Sequence, residues 1–225
     1  MRAGYMPAVG VAEFRDDMPE PQIEKADDVK IKIRNCGICG SEVHAIHGLH
    51  PFRIPPIVSG HEVAGDVVAV GEGVTKFKVG DRVTVEPHYG CGHCWYCDHG
   101  LYNVCPDKKV LGAGPWSGGL GEYIVTPEQT VVKLPDSLTY EEGALIEPVA
   151  NGMYAVRNSK IDEETNIVVI GCGPIGIGDF LCARLYDPRS ILMVDVADFN
   201  LQKAREMGAE LTCNSRSENL YDRVM

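Results

Sequence analysis

Residues 167–176 read Ile-Val-Val-Ile-Gly-Cys-Gly-Pro-Ile-Gly, an apolar run that passes directly into a glycine cluster. An apolar run without alternation is typical of a parallel strand that is covered on both faces. The spacing G-x-G-x-x-G and the proline at position 174 predict a tight turn and the first turn of a helix. This stretch decides the fold class, because strand, turn and helix in this order form the first half of a βαβ unit.

The same pattern returns further along the chain. A second apolar run at residues 191–194 precedes a helix that we predict to begin near Asp198 and to end at Gly208. Strands that alternate with helices indicate an α/β region with a doubly wound parallel sheet. A dinucleotide-binding sheet has about six strands, and one βαβ unit takes roughly 30 residues. Because only part of such a sheet fits after Thr165, we expect a chain truncated at its C-terminus.

The region before residue 139 has a different pattern. Residues 29–33 and 82–85 alternate apolar and polar side chains, with glycines and prolines between such segments, as is typical of antiparallel β-structure. Thr139-x-x-Glu142 is a capping box that predicts the start of a helix, and we predict that Pro148 begins a further helix. The predicted fold is therefore an α/β protein with a β-rich N-terminal part.

The composition excludes several classes of function. The chain has 225 residues, and 21 Lys plus Arg against 32 Asp plus Glu give a net charge of −11. A nucleic-acid surface needs clustered basic residues, so nucleic acid is not an expected partner. No stretch approaches the ~18 apolar residues of a membrane span, and the first ten residues do not resemble a secretory signal. We predict a cytoplasmic globular protein that does not contact membranes.

The strongest chemical signal lies among the nine cysteines, in the motif Cys91-x2-Cys94-x2-Cys97-x7-Cys105. Four thiolates can close a tetrahedral shell around zinc without an open position, so such a site crosslinks a loop and takes no part in chemistry. Disulfides conflict with a reducing compartment, and an iron–sulfur cluster is the alternative metal group. We predict a structural zinc at these cysteines.

A second possible metal site is dispersed along the chain and consists of Cys39, His61 and Glu147, with Glu62 beside the histidine. Three protein ligands leave a fourth position for water or a substrate oxygen, which is the arrangement of catalytic zinc. By spacing alone, His61 and Glu62 could be an ordinary satisfied pair. Cys36-x2-Cys39 could be a redox dithiol, although the βαβ context of such dithiols is absent there.

The glycine cluster and a following aspartate together predict dinucleotide binding. The predicted cofactor-binding residues are Gly171, Gly173, Pro174, Ile175, Gly176 and Asp195. The three glycines allow, in turn, the tight turn, the approach of backbone to a pyrophosphate, and close packing of helix on strand. Asp195 follows about 20 residues later, where a carboxylate can accept hydrogen bonds from ribose hydroxyls. Since neither of the next two residues is an arginine, NAD is favoured over NADP.

These motifs in this order resemble the zinc-dependent medium-chain dehydrogenase/reductase family, and the resemblance covers essentially the whole chain. The motifs that carry it are Cys39-Gly-Ser41-Glu42-Val-His44, Gly60-His61-Glu62-Val-Ala-Gly65, Val79-Gly80-Asp81-Arg82-Val83, the four-cysteine loop, Ala144-Leu145-Ile146-Glu147-Pro148 and the glycine cluster. The motif that ends at Pro148 is most similar to the sorbitol (polyol) dehydrogenase branch, whereas His88 and Asn151 also resemble threonine dehydrogenases. Glu42 stands where the family usually has Asp.

The resemblance implies a GroES-like zinc-binding catalytic domain at residues 1–150, followed by an incomplete NAD-binding Rossmann domain at residues 151–225. It implies two zinc ions per chain, one catalytic and one structural, and hydride transfer from a polyol or secondary alcohol to NAD, which gives a ketone. Related enzymes are dimers or tetramers, so we expect a homo-oligomer.

The resemblance also implies roles for single residues. By match of position, the ligands of the catalytic zinc are Cys39, His61 and Glu147. Glu62 is similar to an exchange ligand, and Ser41 and His44 are similar to the first and a later member of a proton relay. From the residues alone, Ser41 could instead be a helix-cap hydroxyl.

Two alternatives stay open at this point. Within enzymes, the chain could be similar to L-threonine 3-dehydrogenases in its substrate. In a different class, it could be a catalytically incomplete, zinc-stabilised structural or interaction module, because an unpaired sheet edge favours association with another chain.

Overall fold

A computed structural model describes residues 1–224, which form two compact units that meet in sequence between Glu147 and Pro148. The first unit is rich in antiparallel strands, and the second has a parallel sheet with helices. This confirms the predicted fold class. Within the part of the chain that the structure describes, no helix is long and apolar enough to cross a membrane.

The strands of the first unit are β1 (Ala3–Ala8), β2 (Val11–Arg15), β3 (Asp28–Gly37), β4 (Glu62–Val70), β5 (Arg82–Val85), β6 (His88–Tyr89), β7 (Lys109–Val110), β8 (Tyr123–Pro127) and β9 (Val131–Lys133). Its helices are α1 (Gly40–Ile46), α2 (Trp95–Asp98) and α3 (Tyr140–Asn158), of which the last continues into the second unit.

The main sheet of the first unit has five strands in the order β8-β3-β4-β5-β9, and every neighbouring pair is antiparallel. Alternate side chains of its strands, among them Val29, Ile31, Val63 and Val67, form a buried apolar cluster. Burial of such a side chain contributes roughly 1.5–3 kcal/mol. The alternation predicted from the sequence thus places one face of the sheet in the core.

The pairing of β3 with β4 determines at which end of the sheet the loops that carry Cys39 and His61 lie. Gly37, the last residue of β3, lies opposite Glu62, the first residue of β4. Because the strands are antiparallel, the chain leaves β3 and enters β4 at the same end of the sheet. Cys39 and His61 are therefore placed at one end by the sheet register.

The second unit contains β10 (Asn166–Ile170), α4 (Pro174–Ala183), β11 (Ser190–Asp195), α5 (Asp198–Glu206), β12 (Leu211–Asn214) and α6 (Leu220–Val224). Its three strands are parallel in the order β10-β11-β12. In the central strand β11, Leu192, Met193 and Val194 are buried, as predicted for a strand covered on both faces. The edge strand β10 differs, because Val168 and Ile170 are exposed on one of its faces.

Helix α3 confirms one sequence prediction and corrects another. The backbone N–H of Thr139 donates to Glu142 at 2.8 Å and the N–H of Glu142 donates to the Thr139 hydroxyl at 3.2 Å, which is the predicted capping box. The prediction that Pro148 begins a separate helix is wrong, because Pro148 lies inside a continuous helix. An internal proline costs about 3 kcal/mol; buried residues on either side of it, Ala144 and Val156, offset this cost by packing.

We expect Gly176→Ala to destabilise the second unit by about 3 kcal/mol, at the upper end of overpacking costs. A Cβ on Gly176 would lie 1.8 Å from the carbonyl oxygen of Gly171, which is backbone and cannot rotate away. A urea melt should therefore show a lower midpoint.

The matched control is Gly173→Ala in the same loop. Among the described residues, no atom beyond the adjacent backbone lies within 4 Å of a Cβ at Gly173. This variant should lose no more than about 1 kcal/mol, the usual effect of alanine at an N-cap position. Equal unfolding midpoints for the two variants would contradict the close approach of α4 to the end of β10.

Candidate functional site

The four cysteines of the 91–105 loop converge on one point. Their sulfur atoms all lie within 4.8 Å of one another. The Sγ–Sγ distances are 4.0 Å for Cys91 and Cys97, 3.6 Å for Cys94 and Cys97, and 3.7 Å for Cys94 and Cys105. A tetrahedral zinc with Zn–S bonds of about 2.3 Å separates its thiolates by about 3.8 Å. The donor set therefore fits a closed tetrahedral zinc site.

Local backbone holds these sulfurs in place. Cys94 is the N-cap of the short helix α2, which carries Cys97, and a Cβ on Gly90 would lie 2.5 Å from the Cys97 sulfur. The Cys91 backbone N–H, which lies 3.4 Å from the Cys105 sulfur, is the main reason that the pKa of Cys105 is lowered to about 7. A thiol that ionises readily is a better metal ligand.

A second group of donors lies at the end of the sheet where β3 ends and β4 begins. Atoms of Cys39, Glu42 and His61 lie within 4.8 Å of one another, and so do atoms of His61, Glu62 and Glu147. His61 belongs to both groups and is buried. The structure thus brings the dispersed sequence motifs together around one histidine.

Glu42 links the two segments that carry Cys39 and His61. Its Oε2 accepts a hydrogen bond from the Cys39 backbone N–H at 3.0 Å. Its Oε1 accepts from the Ser59 hydroxyl at 2.8 Å and from the Gly60 N–H at 3.3 Å, and it lies 3.1 Å from Nδ1 of His61. Since these donors occupy both oxygens, Glu42 orients the histidine, and the other ring nitrogen, Nε2, is left for a metal.

The charge of Glu42 is held in place by its surroundings. Burial raises its pKa, but the hydrogen bond and charge of His61, the Ser59 hydroxyl and the charge of Arg53 outweigh burial, and the pKa is lowered to about 2. Glu42 is therefore a carboxylate at neutral pH. A carboxylate that pairs with Nδ1 makes the histidine more basic and a better ligand.

Sequence reasoning missed two residues of this site. Ser59 and Arg53 are both buried, with 0% and 4% of their surface exposed, and both contact Glu42. The available signal was an arginine inside a run rich in proline and apolar residues, at positions 51–58. A charge in such a run indicates a buried partner, because an unpaired buried charge is unstable.

The predicted relay residues both lie on α1. Ser41 is half-buried, and its hydroxyl lies 3.5 Å from Oε2 of Glu42, which is a long contact. His44 is exposed in the last turn of the helix. The redox alternative loses support here, because burial and then the charges of Glu42 and Glu62 raise the pKa of the Cys36 thiol to about 12. Such a thiol is a poor nucleophile at neutral pH.

The glycine loop of the second unit connects β10 to α4. Gly171 has a φ of +99°, which favours glycine, and Gly173 is the N-cap of α4. Pro174 and Ile175 form the first turn and are exposed. A helix N-terminus with free space in front of a glycine fits a bound pyrophosphate.

Asp195 ties this loop to the end of β11. Its Oδ2 accepts a hydrogen bond from the Cys172 backbone N–H at 2.7 Å, and its Oδ1 accepts from the Ala197 N–H at 2.8 Å. Partial burial raises the pKa of Asp195, but these hydrogen bonds and that of Asn200 outweigh it and lower the pKa. Asp195 is thus an ionised acceptor beside the glycine loop.

Comparison with known proteins gives a consistent set of similarities. Residues 25–136 match the family model of the alcohol dehydrogenase GroES-like domain. The sorbitol dehydrogenase of Bacillus subtilis (strain 168) is 37% identical over 212 residues, which are 93% of this chain and 60% of that protein. The chain thus spans about three fifths of the length of this relative.

Two similar solved structures contain a nicotinamide cofactor. A protein from Escherichia coli CFT073 solved with NADH superposes with a TM-score of 0.89 at 32% identity, over 99% of this chain and 64% of that one. A protein from Sinorhizobium meliloti 1021 solved with NADP superposes with a TM-score of 0.90 at 31% identity, over 98% of this chain and 64% of that one.

Proposed function

Because the chain belongs to the zinc-type medium-chain alcohol and polyol dehydrogenase family and is sorbitol dehydrogenase-like, we propose that it serves the NAD-dependent oxidation of a polyol or another secondary alcohol to a ketone. Residues 1–150 would then form the catalytic domain, and residues 151–225 would belong to the NAD-binding domain. Its partners would be NAD, a small alcohol, and further copies of the chain in a dimer or tetramer.

The observation that carries this proposal is the mixed donor set around His61. A cysteine sulfur and carboxylate oxygens lie within 4.8 Å of the His61 imidazole, and this donor set suits zinc with an open position. We assign Cys39, His61 and Glu147 as the residues that would hold the catalytic zinc, with Glu62 as an exchange ligand. Zinc bound there supplies Lewis acidity, which lowers the pKa of an alcohol hydroxyl. The four-cysteine loop would hold the second, structural zinc.

The first unit would also move the proton. Oxidation of a secondary alcohol by NAD yields a ketone, NADH and one proton. We assign the Ser41 hydroxyl as the first acceptor of this proton and His44 as the group that passes it to solvent. The two residues are three positions apart on α1 and so share a face of the helix, and His44 is exposed.

The second unit would bind the dinucleotide. The first N–H groups of α4 offer donors to the pyrophosphate, and the open space at Gly173 lets it approach. Asp195 would accept hydrogen bonds from the ribose hydroxyls. Its negative charge disfavours a 2′-phosphate, which supports NAD over NADP.

Purified chain tests the proposal directly. We expect two zinc ions per chain, binding of NAD, and alcohol-dependent NADH formation followed at 340 nm, which is lost when zinc is removed. A panel of sorbitol, 2,3-butanediol and L-threonine separates the polyol and threonine alternatives. Two zinc ions without any nicotinamide binding would instead support the structural-module alternative for this chain.

We expect Asp195→Asn to weaken NAD binding about 10- to 100-fold, because a hydrogen bond to a charged acceptor contributes about 1.5–3 kcal/mol. The same change should reduce the preference for NAD over NADP. Both affinities can be measured from quenching of protein fluorescence. Asp198→Asn is the matched control: Asp198 begins α5 and bonds Asn214, so this variant should keep its NAD affinity. An unchanged ratio of affinities in the Asp195 variant would refute the assignment.

A further inference from the structure

Arg53 is a buried cation beside Glu42, with 4% of its surface exposed. One of its terminal nitrogens, Nη1, donates to the backbone carbonyls of Leu111 at 3.0 Å and Gly112 at 2.9 Å. The same nitrogen lies 3.5 Å from Oε1 of Glu42. Burial of a charge without a partner is costly, so a buried arginine indicates a specific partner.

The surroundings of Arg53 leave little freedom. Gly112 has a φ of +70°, and a Cβ there would lie 2.9 Å from the terminal nitrogen of Arg53. The Ser59 hydroxyl, which donates to Glu42 at 2.8 Å, lies 3.3 Å from that nitrogen. Arg53 is therefore held between a fixed loop at 111–112 and the carboxylate of Glu42.

Glu42 in turn contacts both segments that carry the inferred ligands. It accepts from the Cys39 backbone N–H and lies 3.1 Å from Nδ1 of His61. A contact path thus runs from the 111–112 loop through Arg53 to Glu42, and from there to Cys39 and His61.

We propose that Arg53 is a positioning residue of the catalytic metal site, which acts through Glu42 by holding its carboxylate on Cys39 and His61. This inference rests on the proposed function, because it assumes a metal at these residues. With the cation in place, the Glu42 oxygens face their donors. Without it, the carboxylate loses one of the contacts that hold it against the histidine, so ligand geometry and affinity change together.

The test measures metal affinity by competition with a chromophoric chelator, and coordination by the visible spectrum of the Co²⁺-substituted chain. Arg53→Met should weaken metal binding at the His61 site about 10- to 100-fold, the usual effect of losing a residue behind a ligand, and should alter the Co²⁺ spectrum. Arg53→Lys keeps the charge and should weaken metal binding less. The four-cysteine metal is an internal control whose affinity should not change.

A double variant separates positioning from general destabilisation. The double variant Arg53→Met, Glu42→Gln removes both buried charges. Neither charge is then left without its partner, so this variant should fold. If Arg53 acts through Glu42, this double variant should bind metal as weakly as Glu42→Gln alone. Thr130→Val is an external control for lost buried hydrogen bonds, because Thr130 bonds Thr126 and Pro127; it should bind both metals as the unaltered chain does.

The outcomes distinguish this inference from the function beneath it. An unaltered chain that binds metal only at the four cysteines would overturn the proposed function and this inference together. An unaltered chain that binds two metals, with an Arg53→Met variant of equal affinity, would overturn this inference alone. The inference would also be overturned if replacement of Arg53 weakened metal binding equally with Glu and with Gln at position 42, because Arg53 would then act independently of Glu42.

Discussion

Replacement of His61 by glutamine is expected to reduce the metal content from two ions to one per chain and to remove the proposed alcohol oxidation. His61 belongs to both groups of donors at the end of the sheet, so its replacement removes a ligand atom from each group. Metal assistance contributes several kcal/mol to such reactions, which corresponds to a loss of roughly a thousandfold or more in rate. Metal analysis by mass spectrometry and NADH formation measure the two effects separately.

The control for this experiment is His47→Gln. His47 is exposed and follows α1 as its C-cap residue, and it belongs to neither donor group. Its replacement should leave two metal ions per chain and an unchanged melting temperature. A His61→Gln variant that still binds two metals with unaltered affinity would show that His61 is not a ligand.

Replacement of Cys105 by serine is expected to remove the structural zinc and to unfold the loop from residue 91 to residue 105. Helix α2 has no buried residues, so little apolar packing holds the loop without a metal. Structural zinc contributes about 10–16 kcal/mol of apparent binding free energy in small zinc domains. The loss of even part of this free energy exceeds the stabilisation that packing of the exposed loop can provide.

Hydrogen exchange read by mass spectrometry tests this expectation. Amide protection should disappear in the 91–105 loop, while β3 and β4, which have their own apolar core, should keep theirs. Cys213→Ala is the matched control, because Cys213 is fully buried in the second unit and belongs to no metal group of the described residues. Retention of both metals and of loop protection in Cys105→Ser would disprove a four-thiolate site.

The fold class was predictable from local patterns. The apolar run before the glycine cluster and the alternation of residues 29–33 each report how many faces of a strand are buried, and that is a local property. The interior position of Pro148 was not predictable in this way. A proline is common at the start of a helix, and only packing on both sides of it keeps α3 continuous.

The two candidate metal sites differ in how much of each could be predicted from the sequence. The four cysteines lie within one loop, so their spacing alone predicted a closed site, and the sulfur distances agree with it. The dispersed residues Cys39, His61 and Glu147 were connected through a family resemblance. The meeting of Cys39 with His61 depends on the register of β3 with β4, and Glu147 reaches His61 from helix α3. Both are contacts between distant parts of the chain.

The kinds of donor atom, the closed cysteine loop and the glycine turn with its aspartate could be predicted from the sequence, because each depends on residues close together along the chain or on a motif. Of the nine cysteines, four belong to that loop and one, Cys39, to the mixed site. Tertiary contacts were needed to show that Glu42 orients His61, that Arg53 and Ser59 lie behind it, and that Cys36 is a half-buried thiol with a raised pKa. The reason is physical: burial and the pairing of charges arise from segments that meet only when the chain is folded.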